Sequence, residues 1–167
     1  MIFVTVGTHE QPFNRLVEAV DMLAQQGVLT EEVIIQTGYS TYTPQHCKWQ
    51  NLFPYAQMEE MVRQARIVVT HGGPASFMMP LQMGKVPVVV PRQHRFGEHV
   101  NDHQMEFCKA LSQRQGNLLL VEDIADLSRV LTEYDVLAAR CAGCTDSNNA
   151  AFNARFGQLM EELLGHS

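Results

Sequence analysis

Ile67-Val68-Val69-Thr70-His71-Gly72-Gly73-Pro74-Ala75-Ser76 reads as a buried strand, a double-glycine turn and the opening of a helix. The apolar run has the length of a strand covered on both faces. Two glycines let backbone pass close to another group. Pro74 suits a first helical turn, where its missing N–H costs nothing, and Ser76 adds a hydroxyl donor there. Two weaker copies of the pattern lie upstream: Gly7-Thr8-His9 after Ile2-Phe3-Val4-Thr5-Val6, and Thr37-Gly38-Tyr39-Ser40 after Val33-Ile34-Ile35. A turn from a parallel strand into a helix places N–H groups at the positive end of a helix dipole, where phosphate binds. The turns point to a phosphorylated small molecule. For Gly7-Thr8-His9 a plain tight turn is the competing reading.

Around these turns, apolar runs alternate with helical periodicities. Phe13, Leu16, Val17, Val20 and Leu23 fall at helix spacing. Residues 33–37 read as a strand, and residues 38–52, with Pro44 and Trp49, as irregular structure around a short strand. Met58, Met61, Val62 and Ala65 form a brief helix ahead of the strand at 67–70. A helix over 75–83 ends at Gly84 in the C′ role, and Val86 to Val90 is the next strand, closed by Pro91. Then come a helix over about 98–113, a strand at 118–121, a helix capped by Asp123 carrying Leu127, Val130 and Leu131, and a last helix from about Asn148 to Leu164. This alternation predicts an α/β fold, a doubly wound parallel sheet of Rossmann-like type, as one domain over residues 1–167. Ligand then sits at the carboxyl ends of the strands.

With 167 residues, 46% of them hydrophobic, the chain can bury one core. Its net charge of −6 argues against nucleic acid or anionic lipid as broad electrostatic partners. It leaves room for an anion held by N–H groups. No apolar run reaches the roughly 18 residues of a membrane span, and the first residues, without a basic flank, read as a strand and not a signal peptide. Cys141-Ala-Gly-Cys144 is half a zinc site, and free thiols in a reducing cytoplasm are the favoured reading. His99 and His103 would share a helix face, but Val100 stands where a His-Glu-x-x-His hydrolase needs its glutamate. No metal is expected. Met78, Met79 and Met83 read as core filling. Neither a P-loop nor Gly-x-Gly-x-x-Gly is present.

Taken in order and spacing, Phe3-Val4-Thr5-Val6-Gly7-Thr8, His71-Gly72-Gly73 with Ser76, Gly84-Lys85-x-Pro87-x-Val89-Val90-Pro91 and Asn101-Asp102-His103-Gln104 resemble the donor-binding half of a GT-B glycosyltransferase. The set is similar to the C-terminal domain of enzymes that add N-acetylglucosamine to the peptidoglycan lipid precursor. It is more similar to single-domain subunits of two-chain enzymes, such as the donor-binding subunit of the dolichol-linked N-acetylglucosaminyltransferase. The stretches His71 to Met78 and Phe96 to Gln104 most resemble bacterial capsule and exopolysaccharide transferase subunits. The resemblance covers about residues 1–133.

The resemblance implies that Gly7, Thr8 and His9, together with His71, Gly72, Gly73 and Ser76, hold the diphosphate of a UDP-sugar. It implies that Tyr55, beside Phe53-Pro54, lines the base pocket, and that His103 and Gln104 face the donor sugar. The family's ribose-binding glutamate falls on Met79 here, with Glu98 the nearest acidic substitute. No cofactor is implied: helix N-termini and polar side chains stabilise the leaving nucleoside diphosphate. A base with no assigned position in this chain deprotonates the acceptor hydroxyl for inverting attack. The implied partners are a membrane-associated acceptor-binding subunit and a lipid-linked glycan. The implied location is cytoplasmic, at the inner face of the membrane through that partner. The stripe Phe152, Phe156, Leu159, Met160 and Leu163 on the last helix fits either this domain's own sheet or that partner. A nucleotide-sugar epimerase and a non-catalytic nucleotide-sugar sensor are the other open readings.

Overall fold

Strand β1 (Ile2–Thr5) is buried at every position and pairs on both sides, with β2 (Val33–Gln36) and with β4 (Ile67–His71). Further strands β3 (Lys48–Gln50), β5 (Val88–Val90) and β6 (Leu119–Leu120) complete a six-stranded sheet in the order β3-β2-β1-β4-β5-β6. All pairings are parallel. This computed structural model describes residues 1–7, 10–99, 101–115 and 117–145. The strand order reverses between β1 and β4, so the switch point of the doubly wound sheet lies under the first and strongest glycine turns.

Side chains alternate across the sheet with a period of two. Ile2 and Val4 face Leu16, Val17 and Val20 of α1 (Asn14–Gln25), a layer that α5 (Leu127–Thr132) and Tyr134 of α6 (Tyr134–Thr145) extend. Phe3 and Val68 face the other way, onto Val62 of α2 (Tyr55–Gln64) and Ala65 just after it. On that side Phe77 and Leu81 of α3 (Pro74–Gln82) meet Phe107, Cys108 and Leu111 of α4 (His103–Gln115). Met78 packs against the latter cluster, and Met79 and Met83 against the former. Each fully buried Val, Leu, Ile or Phe contributes about 1.5–3 kcal/mol, so both faces of the sheet are well held.

The Gly84-Lys85 motif proves to be a helix cap. The Lys85 ammonium donates to the carbonyls of Val62 at 2.7 Å, Arg63 at 2.7 Å and Ala65 at 2.5 Å, at the end of α2. A cation there meets the negative end of the helix dipole and otherwise orphaned carbonyls. On α1, buried Asp21 accepts from the Tyr42 hydroxyl at 2.7 Å and the His46 N–H at 2.8 Å, and also from the Gln45 N–H. That carboxylate fixes the irregular stretch after β2.

Three expectations need correction or placing. Helix α4 opens at His103, not near residue 98. Residues His94–Phe96 form a 3-10 turn closed by Gly97 at φ +69°, and Asn101 Oδ1 accepts the His103 N–H at 3.0 Å. His99 therefore lies outside the helix and shares no helix face with His103. Helix α6, carrying Cys141 and Cys144, was not legible because its apolar residues are spread around its circumference. The helix expected over 148–164, with its Phe152 stripe, lies outside the described residues, as do Thr8 and His9.

Candidate functional site

All three glycine turns emerge at the carboxyl edge of the sheet, where α1, α2, α3 and α4 begin. Gly7 adopts φ +78°, and its N–H donates to Thr5 Oγ1 at 3.2 Å. The strand register sets Thr5 beside Gln36. Gln36 is buried and bridges: its Nε2 donates to Thr5 Oγ1 at 3.0 Å and its Oε1 accepts the Phe53 N–H at 3.0 Å. The Phe53 ring meets Phe3 edge-on, centroids 5.8 Å apart. One buried amide thus ties the first turn to the segment that starts α2. Tyr55 opens that helix behind Pro54 and is 72% exposed, an uncovered ring at the ligand edge.

His71, at the end of β4, sits between two glycine turns and is only 8% exposed. A Cβ on Gly7 would lie 2.3 Å from His71 Nε2, and a Cβ on Gly73 2.3 Å from His71 Cε1. Both glycines make room for an imidazole. The ring is anchored at both nitrogens: Nδ1 accepts the Gly73 N–H at 3.0 Å, and Nε2 lies 2.6 Å from Ser76 Oγ. Gly72 is close-packed as well, since a Cβ there would meet Gln104 Cβ at 3.0 Å and Pro91 Cα at 3.1 Å.

These bonds occupy several of the groups expected to meet a ligand. The N–H groups of Gly7 and Gly73 are satisfied inside the protein. His71 is buried between the two turns. The Ser76 N–H is taken by Gly73 O at 3.0 Å. The half-buried Ser76 hydroxyl and the Ala75 N–H, which has no intrahelical acceptor, are donors of this turn.

The loop after β5 contributes a buried guanidinium. Arg92 is 0% exposed and donates through Nη1 to Gln11 O at 2.6 Å and Glu98 O at 3.0 Å, and through Nη2 to Val6 O at 2.7 Å. Its carbonyl partners at Val6 and Gln11 bracket the first glycine loop. Its guanidinium stacks 5.1 Å from the Phe13 ring centroid. Burial pushes its pKa down to about 10, which leaves it charged at neutral pH. Arg15 pairs with Glu98 at 2.9 and 3.1 Å, and the Gln93 N–H donates to the same carboxylate at 3.1 Å. Glu98 is 3% exposed and committed inward, so it does not replace the ribose-binding glutamate. Met79, at the family's position for that glutamate, packs in the apolar cluster around Phe3.

Gln104 Oε1 accepts the Arg92 N–H at 3.1 Å, which leaves its amide nitrogen to offer. His103 is exposed in the first turn of α4. The structure thus gathers Gly7, His71, Gly73 and Ser76 around one ring and sets Gly72 against Gln104. Tyr55 lies two residues beyond Phe53, which Gln36 ties to the first turn, and Glu98 is taken by Arg15 and the Gln93 N–H. Sequence reasoning missed Gln36, Arg15 and Arg92. The signal for Gln36 was a polar residue ending an apolar strand, paired with Thr5. Two hollows, of 570 Å³ beside β6 and 460 Å³ between Lys85 and Tyr134, contain none of the expected site residues.

Residues 1–136 match the glycosyltransferase family 28 C-terminal domain. A Mus musculus protein named UDP-N-acetylglucosamine transferase subunit ALG13 is 30% identical over 127 residues, which cover 70% of this chain and 10% of that protein. Solved structures share the fold. The glycotransferase of kitacinnamycin gives a TM-score of 0.59 at 19% identity, over 97% of this chain and 42% of that one. SnogD from Streptomyces nogalater gives 0.54 at 16% identity, over 95% and 43%. CalG4, the calicheamicin glycosyltransferase, gives 0.58 at 15% identity, over 98% and 42%. The chain spans under half of each solved enzyme and a tenth of the mouse protein.

Proposed function

The chain belongs to the glycosyltransferase family 28 C-terminal domain family, and we propose that it is the donor-binding subunit of a two-chain inverting glycosyltransferase. In this reading it moves a sugar from a UDP-sugar to a lipid-linked acceptor in capsule or exopolysaccharide synthesis. The observation that carries it is the carboxyl edge itself, where Ser76, Tyr55, His103 and the Gln104 amide surround the switch point of the sheet. The diphosphate sits at the start of α3, on the Ser76 hydroxyl and the Ala75 N–H. Tyr55 lies against the base, and His103 and Gln104 face the sugar.

The charge that grows on the departing UDP meets donors and a helix dipole already in place, so the reading requires no metal. The mouse relative's name supports a UDP-sugar and an assembly of subunits. The capsule assignment rests on the resemblance of the stretches His71 to Met78 and Phe96 to Gln104. The acceptor wall and the base come from a membrane-associated acceptor-binding partner, which holds the chain at the inner face of the membrane. Calorimetry with UDP, UMP and ADP tests the site. UDP binds, UMP binds at least about tenfold more weakly for want of the second phosphate, and chelator changes nothing. Absence of UDP binding, or equal affinity for UMP, overturns the assignment.

A further inference from the structure

We infer that His71 is a positioning residue that fixes the direction in which the Ser76 hydroxyl donates, so that its proton is offered to a hydrogen-bond acceptor such as a phosphate oxygen. The inference rests on the reading of this edge as a nucleotide-diphosphate site. Its logic begins with the Gly73 N–H, 3.0 Å from His71 Nδ1. A backbone N–H can only donate, so Nδ1 is the acceptor of the ring. A neutral imidazole has one acceptor nitrogen and one N–H. The proton is therefore on Nε2, and Nε2 lies 2.6 Å from Ser76 Oγ. Ser76 accepts from the ring, and its own proton turns away from it, toward the open edge.

The ring cannot exchange these roles by turning over. That would face carbon atoms toward Gly73 N–H and Ser76 Oγ, and the backbones of Gly7 and Gly73 close both of its sides. Donation runs in one direction: Gly73 N–H to Nδ1, Nε2–H to Oγ, Oγ–H to ligand. The histidine is not free to pivot. It is buried and clamped between Gly7 and Gly73, both of which lack the Cβ that would collide with it.

Two measurements separate this inference from the functional reading. Long-range proton–nitrogen NMR on the ligand-free full chain assigns the His71 tautomer. A proton on Nε2 is expected, and one on Nδ1 overturns the inference whether or not UDP binds. Calorimetry with UDP then compares variants. His71→Gln places an amide N–H near the Nε2 position and keeps affinity within about threefold, whereas His71→Asn and Ser76→Ala each lose about tenfold. The double variant H71N/S76A loses no more than Ser76→Ala alone. Additive losses, or equal losses in His71→Gln and His71→Asn, overturn the positioning role. If wild-type chain with the Nε2 tautomer binds no UDP, the functional reading fails and the relay stands only as hydroxyl orientation.

Discussion

Replacing Arg92 by methionine should cost about 3 kcal/mol of folding stability. The substitution keeps the volume of the side chain and deletes its donors. Three carbonyls, buried at Val6 and Glu98 and half-buried at Gln11, lose the guanidinium, at about 1–3 kcal/mol each. Removing a desolvated charge returns part of this. Burial lowers the guanidinium from 12.5 to about 10, equivalent to roughly 3.5 kcal/mol at 1.4 kcal/mol per unit. The balance is a loss of about 3 kcal/mol, a large share of the 5–15 kcal/mol typical of a domain. Urea unfolding gives the number from the midpoint at constant slope. Arg92→Lys, one point charge in place of a fork, should fall between wild type and Arg92→Met. Amide exchange between Val6 and Phe13 should quicken more than in β4. If Arg92→Met stays within about 1 kcal/mol of wild type, the guanidinium is not what closes the first glycine loop.

Three further outcomes follow from groups described above. Burial pushes the Asp21 carboxyl up, but the Tyr42 hydroxyl and the N–H groups of Gln45 and His46 together hold it below its ordinary 3.8. Its stabilisation is therefore complete above that value and lost as pH falls through the folded pKa. Melting curves of Asp21→Asn should show a flatter acid limb, and an unchanged limb would count against the assignment. Lys85→Met should cost about 1–2 kcal/mol by urea unfolding and fray the end of α2 in amide exchange; no loss would show the cap to be idle. Burial pushes the Cys108 thiol up to about 12, and burial followed by the Asp21 charge does the same for Cys47. Both should resist iodoacetamide in the folded chain at mildly alkaline pH, and rapid labelling of either, read by mass spectrometry, would contradict that.

The doubly wound sheet was legible because its strands are apolar runs broken by glycine turns, and the parallel order follows from right-handed crossovers. The edge that holds the site was legible for the same reason. What each turn does was not. A glycine leaves the same mark in a sequence whether it makes room for phosphate or for a neighbouring side chain, and only the fold brings His71 against Gly7. Glu98 looked like a site residue because it lies in a polar loop at the ligand edge, while Arg92 of the same loop gave no such signal. Their partners, Val6, Gln11 and Arg15, lie far away in sequence. The start of α4 was misplaced because Gly97, at φ +69°, closes a short 3-10 turn and Asn101 receives the His103 N–H where the helix begins.

The margins of the sheet govern how copies of this chain can meet. Its central strand β4 has five residues, while the outermost strands β3 and β6 have three and two. Every residue of β3 is exposed rather than buried, and the strand begins with a lysine. A tapered sheet with a charged flank offers an incoming strand few N–H and C=O groups and no fixed register. Copies of this chain gain little by adding edge to edge, so crowding it at high concentration should not seed fibrils through its flanks.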